Sequence, residues 1–180
     1  MNEIEIKILN INPRQIEAKL KKLGAKKIFK GRLKVKWFSL PHLTNPNKHP
    51  WFLRIRTTNN KSGEITWKSR PVTVGLSRKH REINLPISNH DSAADLFLAI
   101  GLKKYAYQEK DRTSWKLQDW QFDLDKYPKI PPYLEIEGRS AKHINEAIKL
   151  LGLTKCKTSA EGERTLITKE YKLNWFDMRF

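Results

Sequence analysis

Cysteine is almost missing from this chain of 180 residues: Cys156 stands alone. A lone thiol cannot close an intrachain disulfide, and nothing else in the sequence points to an oxidising compartment or to a thiolate metal site. No stretch approaches the roughly 18 apolar residues of a membrane span. The opening Met1-Asn2-Glu3-Ile4-Glu5-Ile6-Lys7 places acids where a secretory leader wants bases. Together these absences predict a soluble, cytoplasmic protein that does not engage a membrane. Internal repeats, low-complexity linkers and shifts of composition are also lacking, so residues 1–180 read as a single unit large enough to bury a core without staples. His42, His49, His80, His90 and His143 show no metal-ligand spacing and read as surface or satisfied side chains. The strands lack the aromatic platform with interleaved bases that single-stranded RNA requires, which argues against nucleic acid as a partner.

What the chain has in excess is positive charge. Thirty-six lysines and arginines oppose 19 acids, a formal net charge of +17. Such a field draws polyanions, whether nucleic acid, anionic membrane or phosphorylated small molecules, and charge alone does not choose among them. The lysines at 19, 21, 22, 26, 27 and 30 read as a solvated helix face and loop.

Three helices are legible. Asn12-Pro13 is a cap followed by proline at the first helical position, and Ile16, Leu20 and Leu23 form a stripe ending at Gly24. A second helix is predicted from Asp91-Ser92, with Ala94, Leu96, Phe97 and Ile100 leading to Gly101. A third opens at Ser140 and runs through Ile144, Ala147, Ile148 and Leu151 to Gly152. Two loops stand out, Pro41 to Pro50 and the hairpin turn Asn59-Asn60-Lys61-Ser62-Gly63. The segment after Lys157 reads as a basic tail (158–180), helical in part, whose ending Trp175-Phe176-Asp177-Met178-Arg179-Phe180 is an apolar anchor packed on or near the body.

The remaining segments alternate. Residues two apart on a strand share a face, so Glu3, Glu5 and Lys7 oppose Ile4, Ile6 and Ile8, and Arg54 and Arg56 oppose Leu53 and Ile55. Thr66 and Lys68 oppose Ile65 and Trp67; His80, Glu82 and Asn84 oppose Ile83 and Leu85; Lys110 and Arg112 share a face. Asp123 and Asp125 oppose Phe122 and Leu124, and Glu135 and Glu137 oppose Leu134 and Ile136. One reading is an ordinary antiparallel sheet with its charged face in water. The other is a closed ring with the charge inside. Acids two apart on one strand repel unless a cation lies between or across from them, and a charged interior must be wet and built for a ligand. Carboxylates are hard ligands for Mg²⁺ or Mn²⁺, while arginine forks and lysine point charges suit phosphate oxygens. The second reading describes a metal-bound polyphosphate site.

Glu3-x-Glu5-x-Lys7, Leu53-Arg54-Ile55-Arg56, Thr66-Trp67-Lys68, Lys110-x-Arg112, Phe122-Asp123-Leu124-Asp125 and Leu134-Glu135-Ile136-Glu137-Gly138, in this order, resemble the CYTH superfamily. Its members include class IV adenylate cyclases, thiamine triphosphatases and inorganic triphosphatases. The resemblance implies an α+β fold, a closed eight-stranded antiparallel tunnel with helices outside, in a monomer or homodimer. It assigns Glu3, Glu5, Asp123, Asp125, Glu135 and Glu137 to a divalent metal, and Lys7, Arg54, Arg56, Lys68, Lys110 and Arg112 to a small-molecule triphosphate. Lys7, Lys68 and Glu82 become the candidate catalytic residues. The implied activity is hydrolysis of thiamine triphosphate, a nucleoside triphosphate or tripolyphosphate. The alternatives are a class IV adenylate cyclase making cyclic AMP and pyrophosphate from ATP, and a non-catalytic triphosphate-binding module. Trp51, beside Arg54, is a candidate to stack on a base or thiazole.

Two positions depart from the family pattern. An Asp-x-Tyr-Phe element is replaced by Val35-Lys36-Trp37-Phe38. In the thiamine triphosphatase branch the tyrosine is assigned to activating water with the lysine that matches Lys68, and Trp37 has no ionisable hydroxyl to do so. At position 84 an asparagine replaces the usual acid, removing a charge from any second metal site.

Overall fold

A computed structural model describes residues 2–58 and 63–180, with the side chains of Asn2 and Glu3 left aside. The predicted turn at Asn59 to Ser62 therefore lies outside the described residues. The elements are β1 (Asn2–Ile8), α1 (Pro13–Lys22), β2 (Lys26–Ser39), β3 (Trp51–Thr57), β4 (Gly63–Ser69), β5 (Val72–Val74), β6 (Ser77–Ile87), α2 (His90–Ala99), β7 (Lys103–Leu117), β8 (Trp120–Lys126), β9 (Tyr133–Gly138), α3 (Ala141–Leu150), β10 (Thr158–Ser159), the short α4 (Glu163–Thr165) and β11 (Asp177–Met178).

The helices start where the chain offers acceptors for orphan amides. The Asn12 side chain accepts from the amides of Arg14 and Gln15 at 3.0 and 3.3 Å, and Ser140 accepts from His143 N at 3.1 Å. α2 begins earlier than the predicted Asp91, because Asn89 is its cap and accepts from Asp91 N at 3.0 Å and Ser92 N at 3.1 Å. Gly24 and Gly152 end their helices at φ +79° and +63°, a region that a side chain resists. Only part of the predicted α2 stripe is buried: Ala94 and Phe97 face inward, while Leu96 and Ile100 are exposed.

Eight antiparallel strands form a ring in the order β1-β9-β8-β7-β2-β3-β4-β6, and β1 closes it by pairing with β6 on its other edge. The alternation read from the sequence then has one consequence throughout: aliphatic side chains face out and need cover. α1 and α3 supply it over β1, β8 and β9, where Ile6, Ile8, Phe122, Leu134 and Ile136 pack with Ile16, Leu20, Ile144, Ala147 and Ile148. α2 covers Phe38 and Ile55 with Ala94 and Phe97. Ile83 and Leu85 on β6 stay exposed.

β2 runs against this pattern. Its lysines and arginine at 30, 32, 34 and 36 alternate with Gly31, Leu33, Val35 and Trp37, and it is the latter set that is turned inward. Val35 and Trp37 join Leu9, Ala106, Tyr127 and Tyr133 with Leu166, Ile167, Trp175 and Met178 from the C-terminal segment, so an apolar cluster fills one end of the ring. That segment is anchored by β11, which runs parallel to β7, with Tyr107 N donating to Phe176 O at 2.9 Å. It is not basic, as the sequence reading had it: Arg164, Lys169, Lys172 and Arg179 are matched by Glu161, Glu163, Glu170 and Asp177. Its helical content is α4 and the wider turn Leu166–Glu170.

Phe122 is fully buried between the ring and α3. Phe122→Ala is expected to lose about 3–5 kcal/mol in urea unfolding, against about 0.5 kcal/mol or less for the exposed Leu85→Ala.

Candidate active site

The inward faces of the ring enclose a cavity of about 1230 Å³, lined among others by Glu5, Arg54, Arg56, Lys68, Arg78, His80, Glu82, Lys110, Arg112, Glu135 and Glu137. The strands thus bring the predicted charged set together, as a ring with charge inside and not as a solvated sheet face. Register places the partners: Glu5 lies opposite Glu137 and Arg78, Lys7 opposite Glu135, Lys68 opposite Glu82, and Arg112 opposite Asp125.

The charges sort into three groups. The first is densely ion-paired, with Asp123 Oδ1 its one buried oxygen lacking a hydrogen-bond partner among the described residues. Arg112 donates from Nε and Nη2 to the two oxygens of Asp125, each at 2.6 Å, and its Nη1 lies 2.5 Å from Asp123 Oδ2. Lys110 Nζ donates to the same Asp125 at 2.8 Å and to Glu163. Burial opposes the charge on Arg112, but Asp123 and Asp125 outweigh it and hold its pKa well above the usual value. For Asp123, burial wins over Arg112 and pushes the carboxyl up. Asp123 and Asp125, assigned to a metal by resemblance, here serve as anchors for Arg112 and Lys110.

The second group is an acid cluster. Glu5, Glu135 and Glu137 each offer a carboxylate oxygen, all within 4.8 Å of one another. Lys7 Nζ lies 2.7 Å from Glu135 and 3.6 Å from Glu5, and Arg78 forks onto Glu5. Burial pushes Glu5 and Glu135 up, but Arg78 on the first and Lys7 with Arg112 on the second hold both below the ordinary carboxylate range. Three carboxylate oxygens converging on one point fit a hard divalent cation such as Mg²⁺ or Mn²⁺. The backbone of Glu3 lies beside His80; its side chain is outside the described set.

The third group is cationic. Arg54 is 7% exposed and its Nε has no hydrogen-bond partner, nor does its guanidinium reach a carboxylate among the described residues. Its charge sits 5.6 Å from the centre of the Trp37 ring. Arg56 reaches Glu64 at 2.7 Å, yet burial, then Arg54 and Arg112, depress its pKa. Lys68 pairs with Glu82 and lies 3.2 Å from His80 Nε2.

Several site residues were missed in the sequence. Arg78 sits in the run Arg78-Lys79-His80-Arg81, where both faces look basic; extending the period of His80, Glu82 and Asn84 back by two would have found it. His80, placed on the charged face with Glu82 and read as surface or satisfied, is buried, lies beside Lys68 and lines the cavity, a site position that reading did not give it. Glu163 enters from the C-terminal segment and accepts from Tyr127 Oη at 2.7 Å and Tyr133 Oη at 3.3 Å as well as from Lys110; no local pattern announces it. Trp51 is on the outer face of β3 and does not line the cavity. Trp37 does, with its indole N–H committed to Gln108 and its ring 5.4 Å from that of Trp175.

Burial raises the Glu163 pKa, but Lys110, with Lys7 and Arg54, outweighs burial and the nearby Glu135, so the net direction is down. A depressed folded pKa stabilises the fold above the unfolded value of about 4.3, and that contribution drains as pH falls toward the folded value. Glu163→Gln is expected to cost about 3–5 kcal/mol at pH 7. In thermal melts its deficit against the wild type should shrink below about pH 4.

No curated protein sequence matches this chain. Solved structures do. One is the PH1012 protein of Pyrococcus horikoshii, 26% identical, covering 86% of this chain and 94% of that one with a TM-score of 0.69. Another, from Vibrio parahaemolyticus and described as a candidate adenylate cyclase, is 14% identical over 92% and 97% of the two chains, with a TM-score of 0.71. A third is the candidate adenylyl cyclase HpAC1 of Hippeastrum, described as having a dominant triphosphatase activity, 14% identical over 98% and 100%, with a TM-score of 0.65. The family model described as the CYTH domain matches residues 1–161, every ring strand included, and the chain belongs to that family.

Proposed function

We propose that this protein is a metal-dependent enzyme that hydrolyses a triphosphate held inside the ring. The observation that carries the reading is Arg54, a buried guanidinium without a carboxylate partner, facing a cavity it shares with Arg56 and Lys68. An unpaired buried cation costs several kcal/mol, and an anion in the cavity removes that cost. Several cations on adjacent strands suit a chain of phosphates better than one isolated phosphate.

Arg54 and Arg56 come from one face of β3 and grip neighbouring phosphoryl groups, holding the chain in line for displacement. Glu5, Glu135 and Glu137 would hold the divalent cation, which when bound supplies charge neutralisation at phosphoryl oxygens. Lys7 and Arg78 hold Glu5 and Glu135 toward their ionised forms. Lys68, oriented by Glu82 and beside His80, is the donor placed to hold the attacking water or the leaving oxygen. Hydrolysis is favoured over cyclisation because so large and charged a bore is wet, and a cyclase must keep water from competing at the reacting phosphorus. A non-catalytic binding module is the second reading, supported by Trp37 standing where the family carries a tyrosine.

The test is incubation of tripolyphosphate, ATP and thiamine triphosphate with Mg²⁺ or Mn²⁺, measuring phosphate, pyrophosphate and cyclic AMP. Phosphate release that falls at least about 100-fold in Glu5→Gln supports the hydrolase. Cyclic AMP with pyrophosphate replaces it by a cyclase, and tight binding without product by the module. Turnover indifferent to Glu5→Gln sinks the assignment. Arg54→Leu is expected to lower kcat/KM about 100-fold while raising stability without ligand by about 1–3 kcal/mol, because it removes an uncompensated charge.

A further inference from the structure

Helices cover the outward aliphatic rows of the ring over β1, β8, β9 and β3, and the cover stops at β4. Register lays two apolar rows across this part of the sheet: Leu53, Trp67 and Ile83 are successive cross-strand partners, and so are Ile55, Ile65 and Leu85. α2 packs over Leu53, Ile55 and Ile65. Trp67, Ile83 and Leu85 lie beyond it, the first half-buried, the others 48% and 56% exposed. A helix on a sheet adds a layer about 10 Å thick, so the bare strip is the floor of a step whose riser is α2.

α2 carries the matching half of the pattern. Its Leu96 and Leu98, with Ile100 at its end, are 58%, 51% and 65% exposed, and none of the three joins an apolar cluster. At about 100° per residue, the side of the helix opposite Ala94 and Phe97 is centred on Asp95, with Leu96 and Leu98 on its flanks. The helix also differs in sign from the rest of the molecule. From His90 to Ala99 it has two acids and no lysine or arginine, in a chain of net charge +17. The strip is of opposite sign: outward along β6, Leu85 and Ile83 are followed by Arg81 and Lys79, while Glu64 and Glu82 of the same strands line the cavity. Asp91 is taken by Lys36, whereas the side chains of Asp95 and Arg81 form no ion pair among the described residues. The lengths agree as well. A helix of 10 residues is about 15 Å long, and β6 from Lys79 to Leu85 runs about 20 Å.

We infer that this face joins two copies of the chain in an isologous dimer, α2 of each copy lying on the strip of Trp67, Ile83 and Leu85 of the other, with Asp95 of one set against Arg81 of its mate. Helix and strip are neighbours on one face, so a two-fold axis brings each step into the recess of the other. A second copy is the occupant because one molecule supplies both halves: an acidic helix with bare leucines and a basic strip with bare aliphatics. None of these side chains lines the cavity, so the inference stands apart from the triphosphate reading. Two chains of +17 repel at long range, and salt screens that repulsion beyond about 8 Å at physiological ionic strength.

The experiment is sedimentation velocity of the full chain in about 0.15 M salt over roughly 1–100 µM protein, for the wild type, Leu85→Glu, Asp95→Arg, Arg81→Asp and the double variant Asp95→Arg with Arg81→Asp. The wild type should sediment as a dimer at the upper end and dissociate on dilution. Leu85→Glu, which sets an acid under an acidic helix, should raise Kd about 100-fold. Each single charge reversal should raise it about tenfold, and the double variant should recover most of that loss. All three positions are exposed, so thermal melts of dilute protein should match those of the wild type. A chain that is monomeric across the whole range overturns the inference. A dimer whose Kd is unmoved by Leu85→Glu and Asp95→Arg overturns it too, by placing the contact elsewhere, and loss in both single reversals without recovery in the double variant overturns the pairing of Asp95 with Arg81.

Discussion

Arg112 lies between Asp123, Asp125 and Glu135, with Lys110 sharing Asp125 from the side. Every one of these groups is nearly or wholly removed from solvent. Charges so placed are tolerable only when each finds opposite charge and hydrogen bonds at close range, because the cost of desolvation is several kcal/mol per ion. The knot comes close to that condition with side chains from β7, β8 and β9, only Asp123 Oδ1 lacking a hydrogen-bond partner among the described residues, and so binds three neighbouring strands from within. Once it is satisfied, the aliphatic faces of the same strands are forced outward, and the positions of α1 and α3 follow from the need to cover them.

Against this compensated background, the remaining imbalance has meaning. The acids at Glu5 and Glu135 are held by Lys7 and Arg78, but Arg54 makes no ion pair with a carboxylate among the described residues and its Nε is left without a hydrogen bond, with Glu163 acting on it only at longer range. The ring is thus close to neutral on the side of β1 and β9 and positive on the side of β3. Such a gradient across a cavity orients an elongated anion: its most charged part is drawn to β3, and a cation associated with it is drawn to the carboxylates opposite.

Much of this was legible in the sequence, and the failures share a cause. Seven ring strands carry charge on alternate positions, and a period of two is visible without knowledge of partners. β2 was not readable in this way because its charges are on the outside: Lys30, Arg32, Lys34 and Lys36 form the regular row, while the inward residues are apolar and resemble any core-facing set. The bulge at Ile28, which shifts register within that strand, leaves no mark in composition. Glu163 was equally hidden, since its role depends on the C-terminal segment folding back over Tyr127 and Tyr133, a contact across the whole chain. Trp51 was misjudged for a simpler reason: proximity to Arg54 in sequence places it on the opposite face of the strand.

The strand that closes the ring is also the first of the ring strands in chain order. Ile4 pairs with Lys79 on one edge and with Gly138 on the other, so β1 cannot acquire its second neighbour until β9, the last of the ring strands, has been made. Until then Glu5 and Lys7 remain hydrated on an unzipped edge, and the enclosed space does not exist. Assembly of this protein should therefore be slow and late, governed by a long-range search and not by its helices, and the nascent chain has an interval in which that open edge needs protection from other strands.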